Sequence, residues 1–377
     1  MPTTPRPGRR TRGVAVTACA VLGLLATSCA ADGSDVALGT GAAAGSTADD
    51  SASVGDIGQG LRGPAGIAAT TYATGLANVA ALAFDASGAL WASTATYEDD
   101  GSDAVYRIGA AGATPVDVID DVHTPLGLLW IGDTLFVASA AQVAAYTGFD
   151  GTSFAASRIV VQFDAGVGEV NEIAVSPSGR LVVGISAPCN GCDPEDPQSA
   201  SIVSFEPDGS DVRLYATDIR AAVGLTYYPG TDTLFVTMNQ RDDLGDVTPG
   251  DWLSVVTEGQ SWGFPSCYGQ GAATGETECA TQPTPVAELD DHAAVSGIAI
   301  VTGQLGDSIG TAAIVAEWML GKLVIVPLDA ASPASASTAS DFITGLSNPV
   351  PVITGPDDAI YVGDWTTGIV YRVAAGS

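Results

Sequence analysis

The sequence predicts an all-β protein, a six-bladed β-propeller. Three observations carry that expectation. A hairpin phrase of apolar run, Gly/Asp/Pro turn and second apolar run occurs six times along the chain. One apolar position of its first run falls at Leu82, Leu128, Ile173, Leu225, Ile298 and Val352. The intervals are about 45 to 55 residues, the length of a four-stranded blade, apart from a longer step between Leu225 and Ile298. Third, 46 glycines and 21 prolines in 377 residues supply turns that suit short strands and would break helices. A pair of β-sandwiches is the competing arrangement, but sandwiches do not repeat a phrase. One hairpin cannot bury both of its faces, whereas blades packed around an axis can.

Taken in order, residues 1–29 read as a targeting segment. Arg6, Arg9, Arg10 and Arg12 precede an apolar stretch too short to span a bilayer comfortably. It ends in Leu25-Ala26-Thr27-Ser28-Cys29, which resembles a bacterial lipobox. Cys29 is then the lipid attachment site, and the protein is expected on the outer face of the cell membrane, held by an N-terminal lipid. Residues 30–60, rich in Ala, Gly, Ser and Asp, read as a flexible tether. The propeller is expected over 61–377.

Its six phrases are GLANVAALAFDASGALWAST, TPLGLLWIGDTLFVAS, VNEIAVSPSGRLVVGIS, IRAAVGLTYYPGTDTLFVTMN, VSGIAIVTGQLGDSIGTAAIVAEW and LSNPVPVITGPDDAIYVGDW. Each first strand follows a small residue or a Pro/Gly step, and period-two runs such as Ile369-Val370-Tyr371 supply outer strands. The long step holds NQRDDLGDVTPGDWLSVVTEGQSWGFPSCYG, an insertion on one face of the kind that carries function. Trp252, Trp262 and Phe264 within it read as its hydrophobic anchor. Outside the signal segment the cysteines are Cys189, Cys192, Cys267 and Cys279. Outside the cytoplasm their spacing predicts two local disulfides. No second CxxC or histidine pair completes a metal set.

Forty-three acidic residues against 13 basic ones give a net charge of −30. No basic stripe exists to neutralise phosphates, so a nucleic-acid partner is excluded. A small-molecule ligand and a monomeric protein are expected instead. Residues entering the innermost strands converge on the axis, which nominates Asn78, Asn171, Glu172, Arg220, Asn239, His292 and Asn348 as a polar ring for an anionic ligand. The same asparagines also suit turns. Carboxylates at 242–258, among them Asp246 and Asp251, are compatible with calcium or with a solvated acidic loop. His123 and His292 are the sole histidines and the natural general-base candidates. No serine-hydrolase elbow, Walker A or dinucleotide fingerprint is present.

The run from VNEIAVSPSGRLVVGISAPCNGCDPEDPQSASIVSFEPDGS through YATDIRAAVGL and NQRDDLGDVTPGDWLSVVTEGQSWGFPSC to DDHAAVSGIAIVTG, with the closing NPVPVITGPDDAIYVGDWTTGIVYRV, resembles the glucose/sorbosone dehydrogenase family. The likeness covers most of 70–373. It implies an exported six-bladed propeller that uses pyrroloquinoline quinone (PQQ) and calcium to oxidise a sugar or aldehyde. By the same resemblance Arg220 contacts the quinone's anionic groups, Asn171 stands beside it, and Asp246 and Asp251 approach the calcium. His292 matches a histidine at the entrance to blade five. The position of the family's base histidine holds Gly168, which leaves Glu169 and His292 as candidate bases. Two other readings stay open: a catalytically silent binding propeller, and a calcium-dependent lactonase-type hydrolase.

Overall fold

A computed structural model describes residues 54–98, 101–245, 250–267 and 277–376. They form six sheets, antiparallel except where Gln260–Ser261 joins Arg213–Thr217 in parallel, and no helix longer than a single short 3₁₀ segment occurs among them. Blade one comprises Val79–Phe84, Leu90–Thr94, Ala104–Ile108 and Val116–Ile119, and blade two Gly127–Ile131, Thr134–Ser139, Gln142–Phe149 and Phe154–Gln162. Blade three holds Val170–Val175, Leu181–Ile185, Ser201–Phe205 and Arg213–Thr217; blade four holds Ala222–Tyr227, Leu234–Met238, Trp252–Val256 and Ala287–Glu288. Blade five runs through Val295–Thr302, Thr311–Glu317, Lys322–Pro327 and Ser340–Thr344, and blade six through Pro349–Thr354, Ile360–Asp364 and Ile369–Ala375. The first strand of each blade is innermost and touches its counterparts in the blades on either side, round a full circle.

The six repeated positions take equivalent places. Leu82, Leu128, Ile173, Leu225, Ile298 and Val352 are all buried on innermost strands and face Ala92, Val137, Val183, Val236, Val315 and Val362. Apolar layers between neighbouring blades make up the core, consistent with strands buried on both faces. Small residues let the innermost strands approach. A methyl group at Gly224 would lie 2.4 Å from the Ser296 carbonyl oxygen of blade five.

Two features go beyond the repeats. The fourth strand of blade six is Ile67–Ala73, from the start of the domain, paired with the last strand in the register Val373 to Ala69. Blade five gains Leu61–Pro64 and Val54–Gly58 as edge strands, so ordered structure reaches into the stretch expected to be tether. The signal segment, Cys29 and most of that tether lie outside the described residues. Both predicted disulfides are present, Cys189–Cys192 with Cα atoms 5.8 Å apart and Cys267–Cys279 at 5.4 Å. Trp252 and Trp262 are buried and stack at 4.3 Å with Phe264 buried nearby, as expected of an anchor for the long insertion.

Candidate functional site

Innermost strands would present alternate residues to the axis, but five of the six carry a register shift near their start, between Val79 and Ala81, Val170 and Ile173, Ala222 and Leu225, Val295 and Ile298, and Pro349 and Val352. A β-bulge re-aims side chains that the ladder would otherwise turn away. The skipped residues Ala80, Asn171, Glu172, Val223, Ser296, Gly297, Val350 and Pro351 all line one central cavity of about 480 Å³. Thr96, Tyr97, Glu169, Ser186, Arg220, Asn239, Trp318 and Trp365 add to its walls. It is therefore built by the starts of the blades, at one end of the axis.

Arg220, just before blade four, is the only cation on its wall among the described residues. Its Nε donates to the Asn190 carbonyl and its Nη1 to the Asn239 carbonyl, both at 3.3 Å. It forms no ion pair among the described residues. Burial pushes its affinity for a proton down, against the pull of Asp242, Asp251 and Glu169. Asn190 lies inside the Cys189–Cys192 loop, so that disulfide braces the carbonyl that aims the guanidinium. Asn171 is buried and donates from Nδ2 to Ser186 Oγ at 3.0 Å and to the Glu169 carbonyl at 3.2 Å.

Glu172 is enclosed by protein but partly open to the cavity. Its Oε2 accepts from the Leu225 amide of blade four at 3.0 Å, and no group among the described residues bonds Oε1. Desolvation pushes its carboxyl up to about 8, with the Leu225 amide opposing. Across the cavity, Trp318 and Trp365 meet edge to face at 6.1 Å. Asn348 Nδ2 donates to the Trp318 backbone carbonyl at 3.0 Å, and Trp365 Nε1 donates to the Ala95 carbonyl at 3.0 Å, which fixes the Trp365 ring against which Trp318 packs.

No protein-family model matches the chain. An uncharacterised protein of Borreliella burgdorferi is 29% identical over 96 residues, and the chain spans only 25% of its length. Among solved structures, a carbohydrate-active enzyme of family AA12 from Trichoderma reesei superposes with a TM-score of 0.69 at 17% identity, covering 84% of this chain and 98% of that one. The holo PQQ domain of pyranose dehydrogenase from Coprinopsis cinerea gives 0.67 at 17%, covering 83% and 97%. The PQQ-bound aldose sugar dehydrogenase of Streptomyces coelicolor gives 0.63 at 19%, covering 83% and 100%. The chain shares the six-bladed propeller fold of these proteins.

On that propeller the expected site residues divide. Arg220, Asn171, Glu172, Asn239 and Glu169 reach the cavity, Glu169 from an exposed position. His292 does not: it occupies an exposed turn with φ of 54°, off the cavity wall, and His123 is likewise exposed and off the wall. Asn78 and Asn348 serve turns and the tryptophan wall. Asp251 is buried with Oδ1 on the Gln240 amide at 2.7 Å and Oδ2 on the Val295 amide at 3.2 Å. Oδ1 thus holds a loop of blade four, Oδ2 ties that blade to blade five, and burial raises the carboxyl to about 6. Asp246 lies outside the described residues. No group of three or more His, Cys, Asp or Glu is placed to hold a metal among the described residues. Sequence reasoning missed Tyr97, Trp318 and Trp365 altogether; the recurring tryptophan at the end of phrases five and six was the signal available.

Gly168, at the base-histidine position, is closed against any side chain. A Cβ there would stand 2.2 Å from the Ser186 carbonyl oxygen. The backbone of Ser186 and Ala187 fills the space a side chain would need.

Proposed function

We propose that the central cavity binds PQQ and that the chain is a sugar or aldehyde dehydrogenase of this propeller type. The observation that carries the reading is Arg220, a guanidinium on the cavity wall without an ion-pair partner and with Nη2 unbonded to protein. A half-buried cation with no ion-pair partner among the described residues suits a ligand that brings carboxylate oxygens to it. The other walls fit the same group: a cavity of about 480 Å³ admits a planar tricycle, and the fixed Trp318–Trp365 pair offers aromatic surface beside it. The fold shared with two PQQ-containing dehydrogenases supports the choice of ligand.

PQQ, when bound, supplies a two-electron hydride acceptor. Arg220 would hold its anionic edge, with Asn171 and Ser186 beside it as polar contacts. Trp318, Trp365 and Tyr97 narrow the mouth and displace water from the substrate's carbon. Calcium fits less well, because Asp251 has both oxygens committed to amides and no group of three or more His, Cys, Asp or Glu is placed to hold a metal among the described residues. No step is assigned to a metal.

Titration of the protein with PQQ, followed by tryptophan fluorescence and by melting temperature, tests the reading. Saturable quenching is expected, and Arg220→Ala weakens it by roughly 10- to 100-fold, the worth of a charge-assisted hydrogen bond. Absence of saturable binding overturns it. The closed backbone at Gly168 favours one second reading, a catalytically silent propeller that binds a ligand without turning it over. In that case PQQ binds, but no sugar or aldehyde reduces an artificial electron acceptor.

The same proposal places the domain outside the cytoplasm, tethered through a lipid on Cys29 to a sugar-exposed membrane face. Two disulfides support an oxidising compartment. Cys29→Ser should release the protein from the membrane fraction.

A further inference from the structure

We infer that Glu172 is the proton acceptor of the cavity, taking the substrate's hydroxyl proton at Oε1. The inference rests on the dehydrogenase reading above and deepens it.

Its basis is placement. The bulge between Val170 and Ile173 turns both Asn171 and Glu172 onto the cavity wall, where an unbroken ladder would present only one of them. The Leu225 amide of the adjoining blade then pins Oε2 at 3.0 Å. One oxygen is fixed and the other is unbonded beside the cavity, which is the geometry a positioned base requires. The alternatives are removed by the same structure. Gly168 has no room for a side chain, because Ser186 stands 2.2 Å from where a Cβ would be. His123 and His292 are off the wall. Glu169 reaches the wall from an exposed position and is the sole other carboxylate on it.

The electrostatic surroundings agree with that role. Arg220 and Glu169 are the other charged groups on the cavity wall. The strands packed against the Glu172 strand are Gly127–Ile131, Thr134–Ser139, Leu181–Ile185 and Ala222–Tyr227, and Tyr227 is their one titratable side chain. Enclosure without a paired cation raises the carboxyl's proton affinity toward the range in which an acceptor works best near neutrality.

The step balances as follows. The substrate O–H bond breaks and its proton passes to Glu172 Oε1. The adjacent C–H bond breaks and its electron pair leaves with the hydrogen, as hydride, for the quinone. A C=O double bond forms. The sugar or aldehyde hydrate loses two electrons and the quinone gains them; Glu172 later returns its proton to solvent through the mouth.

The test uses the full chain with Glu172→Gln and Glu172→Asp. Three readouts are taken: PQQ binding by tryptophan quenching, sugar-dependent reduction of an artificial acceptor across pH, and the infrared C=O band of protonated carboxyls in protein without PQQ. Glu172→Gln is expected to keep PQQ affinity within about threefold and to lose roughly 100- to 10,000-fold in kcat with little change in KM, the usual contribution of a general base. Glu172→Asp should recover part of the loss. The wild-type kcat/KM should climb with pH to a plateau, and one carboxyl band that disappears on raising the pH through about 8 should be missing from Glu172→Gln. A Gln variant that binds PQQ and turns over like the wild type with the same pH profile overturns the role of Glu172 and leaves the dehydrogenase reading standing. A wild-type protein that binds no PQQ overturns that reading, and the role of Glu172 with it. Should the Gln variant fail to fold, the Asp variant carries the comparison, and unchanged activity and pH profile in it overturn the role.

Discussion

A methyl group at Gly168 would meet the Ser186 carbonyl oxygen at 2.2 Å, so even Gly168→Ala must shift the entry to blade three. The expected cost is about 1–3 kcal/mol, read as a lower urea midpoint with an unchanged slope. Gly168→His should cost more and restore no activity, since the imidazole has no space to occupy. Glu172 has a separate thermodynamic signature. Its carboxyl is raised from 4.5 to about 8 in the folded protein, so between those values the folded state holds a proton that the unfolded state has released. Stability from this group is complete below the unfolded value and is lost as pH rises through the folded one. The melting temperature of wild type should therefore fall relative to Glu172→Gln as pH goes from 5 to above 8. Taking the difference between the two proteins cancels Glu317 and Asp251, which burial raises to about 7 and about 6. Arg220 and Asn171 were legible in sequence because polar residues entering an innermost strand face the axis. Glu172 outranking Glu169 was not legible, because the choice depends on a bulge and on one amide from the next blade.

At the level of single elements, the second hairpin of blade five is held by the chain's one lysine. Lys322 Nζ donates to Asp290 Oδ2 at 2.5 Å and Asp341 Oδ1 at 2.6 Å, and lies 3.4 Å from Oε2 of Glu317, whose side chain is 0% exposed. That oxygen has no hydrogen bond of its own. Lys322→Met leaves a buried carboxylate uncompensated and should cost about 3–5 kcal/mol at alkaline pH, less at pH 5 where Glu317 carries a proton. Adding Glu317→Gln should recover part of the loss, measured by urea unfolding. The two disulfides should also separate in effect. Cys267–Cys279 closes the longer loop, and its removal should cost about 2–3 kcal/mol. Replacing Cys189 and Cys192 by Ser should matter less for melting and more for PQQ affinity, because their loop carries the Asn190 carbonyl that aims Arg220. The blades themselves were readable from the hairpin phrase, since buried apolar positions at equivalent register leave a periodic trace. The long insertion gave only its anchor, Trp252 and Trp262, because its path is set by tertiary contacts that carry no period.

Across the whole molecule, a net charge of −30 makes the folded surface repel itself. Added salt screens that repulsion within a Debye length of about 8–10 Å, so the melting temperature should rise by a few degrees between low and near-physiological sodium chloride. The charge pattern and the repeat count were both open to sequence reading. The closing strand was not: Ile67–Ala73 carries no hairpin phrase and finds its partner at the other end of the chain, with Ala69 on Val373 and Ile67 on Ala375. That pairing has a kinetic consequence. Contacts between residues so distant in sequence make a folding chain wait for loop closure. A chain that emerges N-terminus first can build five blades while Ile67–Ala73 stands as an unpaired apolar edge. The ring locks only when Ile369–Ala375 arrives, so the last strand made decides when the protein stops being vulnerable to aggregation.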